Sequence, residues 1–198
     1  PLQTDLFYKK QPIDTLFVSG KDQQEVLIKF FLWKKKTIKV IPSLRFKKLK
    51  NKQFAGQIFV PFDLEKNNNY LEVFDKFIKN LPNRSINTLK PRIHPLKKDS
   101  KIHVKFSNNL KKIIRLRRIK FDKKPQTTSV FIGSATGVSI QALEEGVNII
   151  HIPSNKILDV FSNKIWKNIK VEKFQNEFFK YSLKNKNRLF IINNKKNN

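Results

Sequence analysis

Short apolar bursts separated by polar, proline- or glycine-bearing stretches run along this chain, and their spacing switches between the periods of strands and of helices. Thr15-Leu16-Phe17-Val18, leading into Ser19-Gly20-Lys21, reads as a strand entering a loop. From about Asp22 polar residues fill a first turn and Val26-Leu27-Ile28 follow, which predicts a helix. Ile38-Lys39-Val40-Ile41, stopped by Pro42, closes a β-α-β unit. A basic, irregular stretch over 46–54 then marks a domain boundary. Beyond it, Gln57-Ile58-Phe59-Val60 is a strand ending at Pro61. Residues 70–80 place Leu71, Val73, Phe74, Phe77 and Ile78 near helical spacing, and residues 89–94 return to an extended pattern broken by Pro91 and Pro95.

Leu110, Ile113, Ile114 and Leu116 fit a helix interleaved with Lys and Arg, and 119–121 fits a short strand. The clearest unit comes next. Ser129-Val130-Phe131-Ile132 is a continuous apolar strand, 133–137 a turn of small residues, 138–145 a helix stopped by Gly146, and 147–152 a second buried strand. After Pro153, helical stretches are expected around Ile157-Leu158-Val160-Phe161 and around Phe174-Phe178-Phe179. Alternating strands and helices at this spacing predict an α/β fold: a Rossmann-like parallel sheet with helices on both faces. The domains expected are 1–50, the end of a first α/β unit with its linker; 51–192, the Rossmann-like domain; and 193–198, a polar tail.

Composition changes this picture in two places. Apolar content of 39% with 18 Phe supplies enough core to offset chain entropy despite the charge, so the chain should fold. The net charge of +27 would ordinarily mark a nucleic-acid or anionic-lipid partner. Lys, Asn, Ile and Phe are abundant together, however, as an AT-rich coding sequence produces, and the Lys residues are spread over nearly every segment. With no Cys, disulfides and thiolate metal sites are excluded. No apolar run reaches the length of a membrane span, and a cytoplasmic setting is expected. A chain that begins at Pro1 and holds no Met reads as a fragment with sequence missing upstream.

Two constellations carry candidate chemistry. Gly133-Ser134-Ala135-Thr136-Gly137 lies between a buried strand and a helix start, where unpaired amide N–H groups and the helix dipole favour an anion. Ser134, Thr136 and Ser139 add hydroxyls, while Gly133 and Gly137 keep the backbone approachable. The bland alternative is a tight turn with Ser134 or Thr136 as helix cap. The loop is neither a P-loop nor the Gly-x-Gly-x-x-Gly fingerprint, and Ala135 at its middle excludes a nucleophile elbow. The second constellation is Arg92-Ile93-His94-Pro95, at the end of a predicted strand and so at the same sheet edge. Strand alternation would put Arg92 and His94 on one face, Arg92 to fork onto phosphate and His94 to donate to, or protonate, a departing oxygen. A structural loop role is the alternative for a His beside Pro. His94, His103 and His151 make no zinc pattern, so no metal is expected, and Glu144-Glu145 is expected to be solvated or to contact backbone.

Residues 130–152, VFIGSATGVSIQALEEGVNIIHI, resemble the nucleotide-binding strand-turn-helix-strand of GT-B-fold glycosyltransferases. RIHP followed downstream by a serine-bearing turn is similar to the His-Pro and Ser motifs of bacterial sialyltransferase-like and capsule-assembly enzymes. Gly20-Lys21 and IPSLRF over 41–46 look like the end of that fold's first domain. The resemblance implies the C-terminal, donor-binding half of a metal-independent transferase of capsule or lipopolysaccharide synthesis. Its catalytic residue would be His94. Donor contacts would come from Arg92, His94, Pro95, Gly133, Ser134, Ala135, Thr136, Gly137, Ser139 and Gln141, with Gly20 and Lys21 from the first unit. It implies no cofactor, a nucleotide-sugar donor with CMP-linked sugars among the candidates, and a saccharide or lipid-linked acceptor. The basic surface would then suit peripheral contact with the anionic inner face of the cytoplasmic membrane. Gln141 departs from the Glu that many members use on the ribose.

Two rival readings share these residues. A basic RNA-binding protein of ribosomal type would use the charge for phosphate and Phe for stacking, although the basic residues gather into no arm and no RNA-binding signature appears. The other is a catalytically inactive scaffold that still binds a sugar nucleotide.

Overall fold

The computed structural model describes residues 14–41, 54–64, 69–81, 89–117, 128–133, 137–153, 160–163, 166–175 and 177–184. Two sheets organise them. β1 (Leu16–Val18) and β2 (Ile38–Val40) pair in parallel as a two-stranded sheet, connected by α1 (Lys21–Phe31). Val18, Leu27 and Ile38 form its small core, with Trp33 and Phe31 packed against them. The chain then passes through 42–53, outside the described residues, into the larger sheet.

That sheet has six strands in the order β4-β3-β5-β6-β8-β7. They are β3 (Gln57–Phe59), β4 (Lys90–Arg92), β5 (Thr128–Ile132), β6 (Asn148–Ile152), β7 (Ile169–Phe174) and β8 (Phe178–Leu183). β4, β3, β5 and β6 are mutually parallel, whereas β8 runs antiparallel to β6 and β7 antiparallel to β8. The sheet is therefore mixed rather than wholly parallel. The aromatic stretch expected to be helical at Phe174-Phe178-Phe179 is this β7-β8 hairpin, whose turn includes Gln175 at a left-handed φ of 52°. Val160 and Phe161 are not helical, and the rest of the helix expected there, together with the strand expected at 119–121, lies outside the described residues.

Strand alternation sends side chains to opposite faces, and each face has its own cover. Ile58, Val130, Ile132, Ile150 and Ile152 point to the face covered by α2 (Tyr70–Lys79) and α3 (Lys101–Leu116). On α2 the buried positions Tyr70, Phe74, Phe77 and Ile78 fall at i, i+4, i+7 and i+8, one stripe of a helix. On α3 they are His103, Ser107, Leu110 and Ile114. Phe131 and Ile149 point the other way, against Ala142 and Leu143 of α4 (Gly137–Glu144). Ser129 is the polar exception in β5: its hydroxyl donates to the Phe54 carbonyl and accepts from the Gln57 N–H at 3.3 Å, fixing the turn that enters β3. Glu144 is buried, so solvation, one of the two roles its position at a helix end suggests, does not hold for it.

The small unit meets the large sheet at one described place. Asp22, in the first turn of α1, accepts from the Asn168 side chain at 2.5 Å, and Lys167 pairs with Glu25 at 3.3 Å. Asp22 is 3% exposed and its Oδ2 has no partner among the described residues. Burial pushes its carboxyl above the ordinary range, outweighing the Asn168 hydrogen bond, which pulls it down. A raised carboxyl gives its full contribution to stability below the unfolded-state pKa and loses it as pH rises through the folded one. Asp22→Asn keeps an oxygen for Asn168 and removes the buried charge. It is expected to raise the melting temperature at neutral pH by a few degrees, the effect of roughly 1 kcal/mol in a domain of this size. Melts repeated towards about pH 4, near the unfolded carboxyl value, should show the gain vanish.

Candidate functional site

The order β4-β3-β5-β6 contains a reversal. From β3 the chain travels through α2 to β4 on one side and returns through α3 to β5 on the other. The loop leaving β3 leads to α2 on one face, and the loop leaving β5 leads to α4 on the opposite face. The helices reached from these adjacent strands thus lie on opposite faces of the sheet, and at the carboxyl edge of such a reversal open α/β sheets receive ligands.

Gly133 opens the β5 loop with φ +84°, and a Cβ on it would stand 3.1 Å from the Tyr70 hydroxyl and 3.4 Å from Pro61 Cβ. Its N–H continues the ladder to the Ile152 carbonyl at 2.8 Å, while its own carbonyl accepts from His151 Nε2 at 2.5 Å. Glycine is thus favoured here by its backbone angle, in a space that Tyr70 and Pro61 keep tight. Ser134, Ala135 and Thr136 lie outside the described residues. At Gly137, the first residue of α4, a Cβ would meet nothing within 4 Å among the described residues. Ser139 is 1% exposed and so withdrawn from the solvent side; Gln141 is half-buried.

At the same edge, Pro61 and Phe62 follow β3, and His94 follows β4. His94 is exposed and caps the 3-10 turn Pro95–Lys97, its Nδ1 accepting from the Leu96 N–H at 3.2 Å. The neutral ring then carries its proton on Nε2, a donor directed at something other than its own backbone. Its edge meets the face of Phe62 at 5.0 Å between ring centres, and the Lys97 ammonium stands 4.7 Å from the centre of that ring. Lys97 is a cation of this edge that sequence reasoning passed over. Two strand spacings separate the ends of β4 and β5, about 10 Å, which a nucleotide can bridge.

The other two histidines hold this edge in place. His103, buried at the start of α3, bonds the Phe62 carbonyl through Nε2 at 3.0 Å and the Ser100 hydroxyl through Nδ1 at 2.9 Å. His151, fully buried on β6, holds the Gly133 carbonyl through Nε2 and meets the Tyr181 hydroxyl through Nδ1 at 2.9 Å. A carbonyl only accepts, so both rings carry a proton on Nε2. The segments leaving β3 and β5 are therefore each held by one histidine, at Phe62 and at Gly133. Their partners are 41 and 18 residues away in sequence, which no local pattern reveals.

Three residues expected in the site are placed elsewhere. The Arg92 guanidinium donates to Gln57 Oε1 at 2.9 Å and lies over the rings of Phe54 and Phe59, at 5.1 and 5.6 Å. Gln57 and Phe54 are at the entrance of β3, so the guanidinium reaches back from the carboxyl edge, and it shares no described partner with His94. Gly20 and Lys21 adjoin Asp22, whose partner Asn168 immediately precedes β7. β7 points the same way as β6, so this contact lies at the amino edge of the sheet. It is also five strand spacings from β4, roughly 24 Å. Among the described residues no group of three or more His, Asp or Glu is placed to hold a metal ion, and no helix is long and apolar enough to cross a membrane. Compared with protein-family models, curated proteins and solved structures, the chain matches none.

Proposed function

We propose that this chain binds the phosphate of a nucleotide-activated sugar at the carboxyl edge of the sheet, between the ends of β3 and β5, as the donor-binding half of a metal-independent glycosyltransferase of surface-carbohydrate synthesis. The observation that carries the reading is the topological reversal at β3-β5, with Gly133 at a left-handed φ where the chain leaves β5 towards α4. The amides of the first α4 turn meet phosphate oxygens without needing a side chain. His94 Nε2 and the Lys97 ammonium approach from the β4 side and favour the charge that develops as the glycosidic C–O bond breaks onto phosphate. His94 is then the group to hydrogen-bond or protonate the departing oxygen. Gln141 on α4 serves the ribose hydroxyls, and Arg92, Gly20 and Lys21 take no part.

Titration with CMP, CDP, UDP and GDP, read by thermal shift or calorimetry, should show stabilisation by one nucleotide selectively. His94→Ala and Ser134→Ala are each expected to weaken that nucleotide about tenfold, a loss of about 1.4 kcal/mol, with the melting temperature of the free protein unchanged. Equal binding by both variants and the parent overturns the site. Tight RNA binding that falls steeply with salt, without nucleotide preference, replaces the reading by the RNA-binding one.

A further inference from the structure

The outer face of α3 carries cations and aliphatic side chains, and the carboxylate in the lining of the groove beside them is Asp99, just before the helix. The helix contains no carboxylate in sixteen residues. Lys101, Lys105, Lys112 and Arg115 share one side of it along about 21 Å, and all four are exposed. The ion pairs among the described residues do not include them, although Arg117 at the end of the same helix is held by Asp75 at 2.7 Å. An open groove of about 770 Å³ runs beside them, with Asn108 in its lining. Like charges one turn apart work against the helix that carries them, a cost that an anionic partner removes.

Aliphatic residues decide which anionic partner fits. Leu116 is 80% exposed, Ile102 53% and Val104 41%, all on α3, and Leu96 in the turn just before it is 82% exposed. A nucleic acid would engage the cations and leave these side chains in water, and the groove lining includes no aromatic ring for base stacking. A bilayer surface takes both kinds of group, the ammonium and guanidinium heads to lipid phosphates and the aliphatic groups and lysine stems to the acyl boundary. We propose that α3, with the turn Pro95–Lys97, is a docking face for an anionic lipid surface. The same turn carries His94, so docking would set the carboxyl edge beside the membrane. The proposal does not depend on the nucleotide-sugar reading, which the titration above tests separately on the same protein.

The experiment is co-sedimentation of the full chain with vesicles of phosphatidylcholine, with and without phosphatidylglycerol. Binding is expected only with the anionic lipid. Replacing Lys101, Lys105, Lys112 and Arg115 by Gln should weaken it at least about tenfold, since each cation near such a surface contributes on the order of a few-fold. Replacing Lys34, Lys35 and Lys36 by Gln, a cluster at the other sheet, should change it little. The pair Ile102→Ser and Leu116→Ser should also weaken binding and make the remainder vanish in high salt, with melting curves like the parent's. The proposal is overturned if anionic vesicles are not bound, if the control cluster matters as much as α3, if the serine pair binds like the parent, or if duplex RNA outcompetes the vesicles through the same four cations.

Discussion

Phe77→Ala is expected to lower the unfolding free energy by about 3–5 kcal/mol. Phe77 is fully buried on α2 and touches three other rings: Phe74 at 6.0 Å, Phe174 at 6.2 Å and Phe178 at 5.3 Å, the last nearly perpendicular at 85°. It therefore joins α2 to the β7-β8 hairpin as well as to the parallel strands. Truncation leaves a cavity that the sheet cannot close, because its strands are held in register on both sides. Against a total of about 5–15 kcal/mol for a typical domain, the loss takes a large share. Urea unfolding followed by tryptophan fluorescence gives the energy, and amide exchange gives its location: protection should fall in β8 as well as α2. Phe17→Ala, at a ring 56% exposed, should stay within about 0.5 kcal/mol. A Phe77→Ala loss no larger than that of Phe17→Ala would mean that α2 does not seal the hairpin.

The same contacts explain what could be read from sequence. α2 was legible because Leu71, Val73, Phe74, Phe77 and Ile78 fall near helical spacing within ten residues. β5, the glycine turn, α4 and β6 were legible because two continuous apolar runs flank a helix, with Gly146 at φ +76° as its stop. The hairpin was not, since Phe174, Phe178 and Phe179 fit a helical face as well as two strands, and Gln175 supplies the left-handed turn position where glycine or asparagine would signal one. That ambiguity mattered for the site, because the direction of β7 puts Gly20 and Lys21 at the far edge. Gly133 and His94 follow β5 and β4, where local context placed them. Arg92 was misplaced because its outcome depends on Phe54, Phe59 and Gln57, which offer a flat aromatic surface and an acceptor on the neighbouring segment.

His151→Leu is expected to cost about 2–4 kcal/mol, as two buried hydrogen bonds are removed at once. The Gly133 carbonyl is turned out of the β-ladder by the left-handed turn, while its N–H stays in the ladder with Ile152. The ring of His151 on β6 satisfies it. One proton arrangement serves the whole series: the Phe161 N–H donates to the Tyr181 hydroxyl at 3.3 Å, that hydroxyl donates to His151 Nδ1, and Nε2–H donates to Gly133. Leucine fills similar space and supplies neither bond, so both partners lose a contact inside the protein. His151→Gln retains an amide N–H that can reach for the same carbonyl and should recover part of the loss. Nucleotide affinity separates a structural effect from a positioning one. If the ring sets the Gly133 turn for phosphate, the leucine variant, tested well below its melting temperature, binds nucleotide more weakly than the parent and the glutamine variant lies between. If stability falls but affinity does not, the ring fastens the edge of the sheet without setting the anion site.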